Sequence, residues 1–362
     1  MKKNQNHGLT VGEWVDEYLR DYVYPVCKPS AAEHYADNLQ KHLLPALGKL
    51  PLDKLTAPVL QQFLNEQSRT GNLKNHGPLS VKSLRNLRTA VSACLTQAVS
   101  LGILPSNPVP GTVIRRASRV VVETMSEADR DVLLKFLVSD SNLMNPAIIF
   151  AAELGLRRGE LCALRWMDLD ASGCLHISNT VKRLKCLTPD SETRTALVFG
   201  PVKSEESHRV LALSPFLLGI LDLQEARYRD RFGEPGPADF IFYNAAGNMT
   251  DPDNLSHYFS DVLAGLKLPH VKLHALRHTF ATRAVELGID IGTVSGLLGH
   301  SDVATTSHYY LHPRQQAMNN ALWQLASAEG AAPVASRSFS RAPQAPHEFR
   351  RRAGFPEMKT AG

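Results

Sequence analysis

The sequence predicts a mainly α-helical protein with a small antiparallel β-sheet, an α+β chain. Three observations carry that expectation. Apolar residues recur at three- and four-residue spacings behind N-cap residues over most of the chain up to about residue 325. Strand-like runs are confined to about 174–213. A Pro- and Gly-rich stretch followed by arginines, beginning near residue 106, divides the helices into two groups.

The first group occupies residues 8–105. Trp14, Val15, Tyr18 and Tyr22 fall near the 3.6-residue period and predict a helix from Val11 to Val23. Ser30 followed by Glu33 reads as a capping box that opens a helix toward Leu43. Thr56 caps a third helix ending near Gly71. Ser80 caps a long fourth helix with Leu84, Leu87, Val91, Leu95 and Ala98 on one face and Gly102 as its stop.

Asn107-Pro108-Val109-Pro110-Gly111, then Arg115, Arg116 and Arg119, read as a basic linker over 106–122. A second domain follows over 123–325. Ser126 with Asp129 predicts a capped helix over about 127–139, and a further helix is expected over about 146–167. His176-Ile177-Ser178, Ala196-Leu197-Val198-Phe199 and Arg209-Val210-Leu211-Ala212-Leu213 supply the strands. Residues from about 215 to 325 read mainly as helix. Residues 326–362 are rich in Ala, Ser, Pro and Arg, with isolated apolar positions, and read as a disordered basic tail.

Composition narrows the function classes. With 43% hydrophobic and 21% charged residues the chain is of ordinary globular make-up, not collagen-like or coiled-coil. Cys27, Cys94, Cys162, Cys174 and Cys186 contain no Cys-x-x-Cys pair, which argues against a disulfide framework or zinc ribbon and for a reducing compartment. No apolar run reaches membrane-span length, and no signal core follows the N-terminus. The expected location is the cytoplasm. The net charge of +5 hides an uneven distribution: residues 1–119 carry +7, 120–325 carry −5 and 326–362 carry +3. The helical domain therefore holds the basic excess suited to a polyanionic partner.

Four patterns in the second domain carry chemistry. In Gly155-Leu156-Arg157-Arg158-Gly159-Glu160-Leu161, Arg157 and Glu160 lie three apart on one helix side and can meet. An arginine steadied in this way can grip a phosphate; the bland reading is a surface ion pair. Gly200 to Arg209 reads as a turn or hairpin loop carrying Lys203, a candidate proton donor or else a solvated loop lysine. In His274-Ala275-Leu276-Arg277-His278, His274 shares a face with Arg277 and with His278. The histidine pair lacks the third ligand a zinc site needs, so no metal is expected. Leu297-Leu298-Gly299-His300-Ser301 ends a helix on an imidazole, and Tyr309 and Tyr310 follow nine and ten residues after His300. Core packing of the two aromatics is the competing reading.

Taken in order, Arg157, Lys203, His274-x-x-Arg277, Gly299-His300 and Tyr310 resemble the catalytic set of the tyrosine recombinases, the phage integrase family. The surrounding wording is similar too: Gly-Leu-Arg-x-Gly-Glu, Lys-x-x-x-Ser-x-Arg-x-Leu, His-x-Leu-Arg-His-Thr-Phe-Ala-Thr, Leu-Gly-His-Ser and Thr-Thr-x-x-x-Tyr-x-His. Residues 8–105 resemble the family's helical core-type DNA-binding domain, including Lys28-Pro29-Ser30 and Asn107-Pro108. The resemblance covers about 8–325.

The resemblance implies a site-specific DNA recombinase that cuts and rejoins strands through a 3′-phosphotyrosine and a Holliday junction, integrating or excising a mobile element. Tyr310 would be the nucleophile, because His312 follows it at the family's spacing; Tyr309 is the alternative. Arg157 and Arg277 would clamp the non-bridging oxygens and His300 would donate a further hydrogen bond. His274 would take the tyrosine proton or position the phosphate, and Lys203 would protonate the leaving 5′-oxygen. Glu160 would steady Arg157. The chemistry implies no cofactor, neither ATP nor metal.

The implied partners are double-stranded recombination sites, a homo-tetramer on two duplexes and an accessory directionality factor, in a bacterial nucleoid-associated setting. Lys82, Arg85 and Arg88, on one long helix, are candidate DNA contacts, with a solvated helix face as the alternative. The short stretch before the first helix leads to the expectation of no arm-type DNA binding. The helix expected over about 313–325 would pack on a neighbouring protomer or in its own subunit. Chromosomal dimer resolution, a type IB topoisomerase and a DNA-binding protein with a dead site are the rival readings.

Overall fold

The computed structural model describes residues 8–115, 123–185, 194–202 and 207–300. The arginines Arg116 and Arg119, Lys203, Tyr309, Tyr310, the helix expected over 313–325 and the tail all lie outside the described residues.

The N-terminal core is built from helices. Val11–Tyr18 (α1) opens on Thr10, whose hydroxyl accepts from the Glu13 N–H while the Glu13 carboxylate takes the Thr10 N–H. The chain continues helically through Leu19–Val23. Pro29–Asn38 (α2) does not begin on the expected Ser30–Glu33 capping box: Lys28 is its N-cap, with no side-chain cap bond. Pro29 sets the start instead, because its fixed φ suits the first helical position. The helical path runs on through Leu39–Leu43 and Leu44–Leu47 (α3). Ala57–Thr70 (α4) follows Thr56 and ends at Gly71. Val81–Ser100 (α5) is capped by Ser80, whose hydroxyl accepts from Ser83 N–H at 3.0 Å.

Trp14 is completely buried at the centre of this bundle, and its indole N–H donates to the Cys94 carbonyl on α5 at 3.1 Å. That pairing satisfies the one polar group a buried tryptophan brings with it. The segment from Asn107 to Val113 packs on the same bundle. The Asn107 amide donates to Ser92 and Thr96, Val109 is buried, and the Val113 N–H donates to Gln61.

The second core begins with Glu127–Ser139 (α6), capped by Ser126, whose hydroxyl accepts from the Asp129 N–H. The single helix expected over 146–167 is instead two. Asn145–Leu154 (α7) stops at Gly155, whose φ of +63° turns the chain, and Arg158–Leu161 (α8) follows. Four strands come next: Cys174–Ile177 (β1), Asn179–Lys185 (β2), Thr195–Pro201 (β3) and Arg209–Ala212 (β4).

They form two separate two-stranded antiparallel ladders, β1 with β4 and β2 with β3. The strands flanking Gly200–Arg209 pair with different partners, so β3 and β4 do not form the expected hairpin with each other. Pro215–Phe232 (α9), Pro252–Gly265 (α10), His274–Glu286 (α11) and Ile291–Leu298 (α12) complete the domain. Phe150, Phe242, Leu255 and Phe259 lie fully inside its core.

The two cores meet where β2 reaches α2. The Lys185 ammonium lies 2.6 Å from an Asp37 carboxylate oxygen and 3.5 Å from Glu33. Among the described residues no helix is long and apolar enough to cross a membrane.

Candidate active site

Two left-handed glycines organise the site. Gly155 ends α7 and Gly299 ends α12, each at φ +63°. A side chain would be strained at either. A Cβ on Gly155 would come within 2.7 Å of the Phe280 ring, and one on Gly299 within 2.8 Å of the Arg209 guanidinium. Both turns leave carbonyls without intrahelical partners. Arginines occupy them. Arg277, on α11 and 2% exposed, donates to the Gly155 carbonyl at 2.8 Å and to the Leu298 carbonyl at 2.6 Å. Arg157 donates to the Gly299 carbonyl at 2.9 Å. The His-x-x-Arg and Gly-Leu-Arg patterns are thus held together through the ends of two other helices.

Arg157 is the N-cap of α8. Its second guanidinium nitrogen lies 2.6 Å from Glu160, whose other oxygen accepts the Arg157 backbone N–H at 3.0 Å. The ion pair expected from sequence forms, but Glu160 is buried and cannot be part of a surface pair. Burial alone would raise its pKa. The hydrogen bond and charge of Arg209, then the charge and backbone N–H of Arg157, outweigh burial and hold the carboxyl below its ordinary range. Gly159 lets α8 sit against β2: a Cβ there would lie 2.5 Å from the Val181 carbonyl oxygen.

Three histidines gather around the arginines. His274 and His278, one turn apart on α11, meet edge to face with centroids 5.0 Å apart. His300 follows Gly299 directly. Loss of hydration, then His278, Arg277 and Arg157, push the His274 pKa down to about 4. Loss of hydration, then Arg277 and Arg157, push His300 to about 4 as well. Near pH 7 both rings are neutral, so each offers one N–H donor and one acceptor nitrogen. Among the described residues no cluster of three or more His, Cys, Asp or Glu side chains suited to a metal is found.

Arg157, Gly299 and His300 face an open cleft of about 900 Å³ whose opposite wall is α2. Lys28, His34 and Tyr35 line it from the helical domain, and Thr180 and Lys182 from β2. Among the described lining residues, Glu160, already held by two arginines, is the acidic one. The cleft thus suits a polyanion.

Arg157, Glu160, His274, Arg277 and His300 are brought together at this end of the second core. Lys203, Tyr309 and Tyr310 lie outside the described residues. Lys82 and Arg85 are exposed on α5 but do not line the cleft. Arg88 is turned inward: it donates to the Thr112 hydroxyl at 2.9 Å and to the carbonyls of Val109 and Thr112. Sequence reasoning placed Arg209 in the Lys-x-x-x-Ser-x-Arg-x-Leu pattern but gave it no role. Its signal was phase: Arg209 and Leu211 share the inner face of β4, whereas Val210 between them is 55% exposed. Lys28 and His34 were overlooked as cleft residues because nothing local marks which face of α2 meets the other domain.

Residues 123–317 match the phage integrase family, and residues 10–68 match the phage integrase N-terminal SAM-like domain. The chain belongs to the phage integrase family. It is a tyrosine recombinase, an enzyme of site-specific DNA recombination. A tyrosine recombinase XerC-like protein of Caldanaerobacter subterraneus subsp. tengcongensis is 24% identical over 87% of this chain and 82% of its own length. The ICEBs1 integrase of Bacillus subtilis is 24% identical over 80% of this chain and 76% of its own. Among solved structures, the Tn1549 transposon integrase in complex with transposon right end DNA superposes with a TM-score of 0.70 at 18% identity, covering 88% of this chain and all of that one (100%). A lambda integrase tetramer bound to a Holliday junction superposes at 0.60 with 20% identity, over 83% of this chain and 80% of that one. At these identities the structural likeness establishes the fold of this family member.

Proposed function

We propose that this recombinase binds duplex DNA in the cleft between the helical domain (8–105, with the basic linker 106–122) and the catalytic domain (123–325), and cleaves it with Tyr310. The gathering of Arg157, Arg277, His274 and His300 at one end of the catalytic core carries this reading. Two guanidiniums beside two neutral imidazoles suit a phosphodiester whose non-bridging oxygens gain charge during attack.

The Tyr310 oxygen bonds to phosphorus as the bond to the 5′-oxygen breaks, leaving a 3′-phosphotyrosine and a free 5′-hydroxyl. The phenol proton passes to His274, and Lys203 donates a proton to the departing oxygen. The DNA–enzyme ester keeps the energy of the bond broken, so rejoining is the same step in reverse. Arg157 and Arg277 bind the non-bridging oxygens and His300 donates an N–H to one of them. Four protomers on two duplexes complete strand exchange through a Holliday junction, in a bacterial cytoplasm and at the nucleoid, with an accessory factor setting direction. Integration or excision of a mobile element is the process this fits.

Replacing each tyrosine with Phe tests the assignment on a nicked duplex that traps covalent protein. Tyr310→Phe abolishes the adduct and Tyr309→Phe retains it; an adduct surviving in Tyr310→Phe defeats the assignment.

A further inference from the structure

We infer that Arg209 is a positioning residue for strand cleavage, fixing Arg157 and His300 relative to each other. The inference rests on the cleavage chemistry proposed above. Arg209 stands on β4, and its side chain is 6% exposed. Its guanidinium reaches α8, α12 and Ser207 just before its own strand at once. One nitrogen donates to Glu160 at 2.8 Å, Nε donates to the Leu297 carbonyl at 2.7 Å, and the third donates to the Ser207 carbonyl at 3.1 Å.

Glu160 is the carboxylate that holds Arg157, and Leu297 lies in the last turn of α12 just before Gly299 and His300. Arg209 therefore joins the carboxylate behind one phosphate ligand to the backbone that carries another. It also crowds the Gly299 turn, where its guanidinium lies 2.8 Å from the place of a Cβ. A lysine could keep the charge opposite Glu160 but has no planar fork to span three acceptors. Without Arg209, Arg157 retains Glu160 and the Gly299 carbonyl, but the two are no longer tied to each other through β4.

The test uses the full chain and a duplex recovered by the wild-type protein from a randomised nicked pool. Arg209→Gln slows covalent adduct formation by about 10²-fold, the cost of a small misplacement of reacting groups. Its dissociation constant for the same duplex stays within about threefold, a difference well below one tenfold step in binding. Arg209→Lys falls between Arg209→Gln and wild type. A second duplex carries a methylphosphonate at the mapped scissile position. That group lacks the anionic oxygen the arginines neutralise, so the defect of Arg209→Gln shrinks on it.

Because Arg209→Gln leaves Glu160 buried with one partner fewer, the pair Arg209→Met with Glu160→Gln is measured alongside. It recovers the melting temperature and stays slow. An equal defect on both duplexes, or recovery of rate together with melting temperature in the double variant, overturns the inference. Arg157→Ala separates the two readings. If it is slow while Arg209→Gln is normal, only the role of Arg209 fails; if Arg157→Ala itself is normal, the cleavage reading fails.

Discussion

Arg277 and Leu298 are joined by a 2.6 Å hydrogen bond from guanidinium to carbonyl, although 21 residues separate them. The same guanidinium holds the Gly155 carbonyl, so one buried side chain fixes the two turns that carry Arg157 and His300. The proposed phosphate ligands are thus held by hydrogen bonds within the protein itself. Preorganised donors of this kind need no rearrangement as charge develops.

Arg277→Lys is expected to slow covalent adduct formation by about 10²–10³-fold, the effect of losing one directed donor to a developing oxyanion. Lysine cannot serve two carbonyls in the plane of a fork, so thermal stability falls as well. Rate and melting temperature measured on the same preparation check this; an unchanged rate contradicts it.

Gly299→Ala tests the turn itself. A left-handed conformation costs an L-residue about 1–2 kcal/mol, before any steric contact with Arg209. Chemical denaturation should show at least that loss, with reduced cleavage because His300 is the next residue. A fully stable, fully active Gly299→Ala would show that the turn does not constrain His300.

The histidines predict a pH dependence of folding. His274 and His300 have an ordinary pKa of 6.5 and sit at about 4 in the folded protein. As pH falls below about 6.5 the unfolded chain takes up these protons first, so acid favours unfolding. The stability is complete above that pH and is lost as pH approaches 4. His300 is half-buried and His274 is the more exposed residue, so the His274 contribution is discounted for solvent screening. Melting temperatures of wild type and of a His274→Asn, His300→Asn variant check this. The variant's profile should be flatter between pH 6.5 and 4, and identical slopes would refute the assignment.

The long helix α5 separates two kinds of basic residue. Lys82 and Arg85 face solvent, whereas Arg88 anchors Val109 and Thr112. If Lys82 or Arg85 meets a phosphate, its removal should lower the slope of log affinity against log salt by about one. Arg88→Ala should lower the stability of the helical domain and leave that slope unchanged. Fluorescence titration across a salt series distinguishes them; a reduced slope in Arg88→Ala would place it at the DNA instead.

Much of this architecture was legible in the sequence because its signals are local. Ser80 and Ser126 cap the helices they were expected to cap, and the helix over Glu127–Ser139 appears at its expected bounds. Arg157, His274, Arg277 and His300 were singled out from short patterns, and the fold brings them together. Three features were hidden for physical reasons. The break at Gly155 depends on one positive φ inside an otherwise apolar helical run. The pairing of β3 with β2 and of β4 with β1 is set by long-range register, which the strand-like runs do not encode. The partners of Arg209 lie 49 and 88 residues away in sequence, so only the folded chain assembles them.

In the proposed reaction Tyr310 attacks a phosphate held by the arginine and histidine cluster. Mass spectrometry of a protease- and nuclease-digested covalent complex tests it most directly. The expected product is a nucleotide linked through its 3′-phosphate to the peptide containing Tyr310, with fragment ions placing the link on that residue. A link to Tyr309, or attachment through a 5′-phosphate, would contradict it.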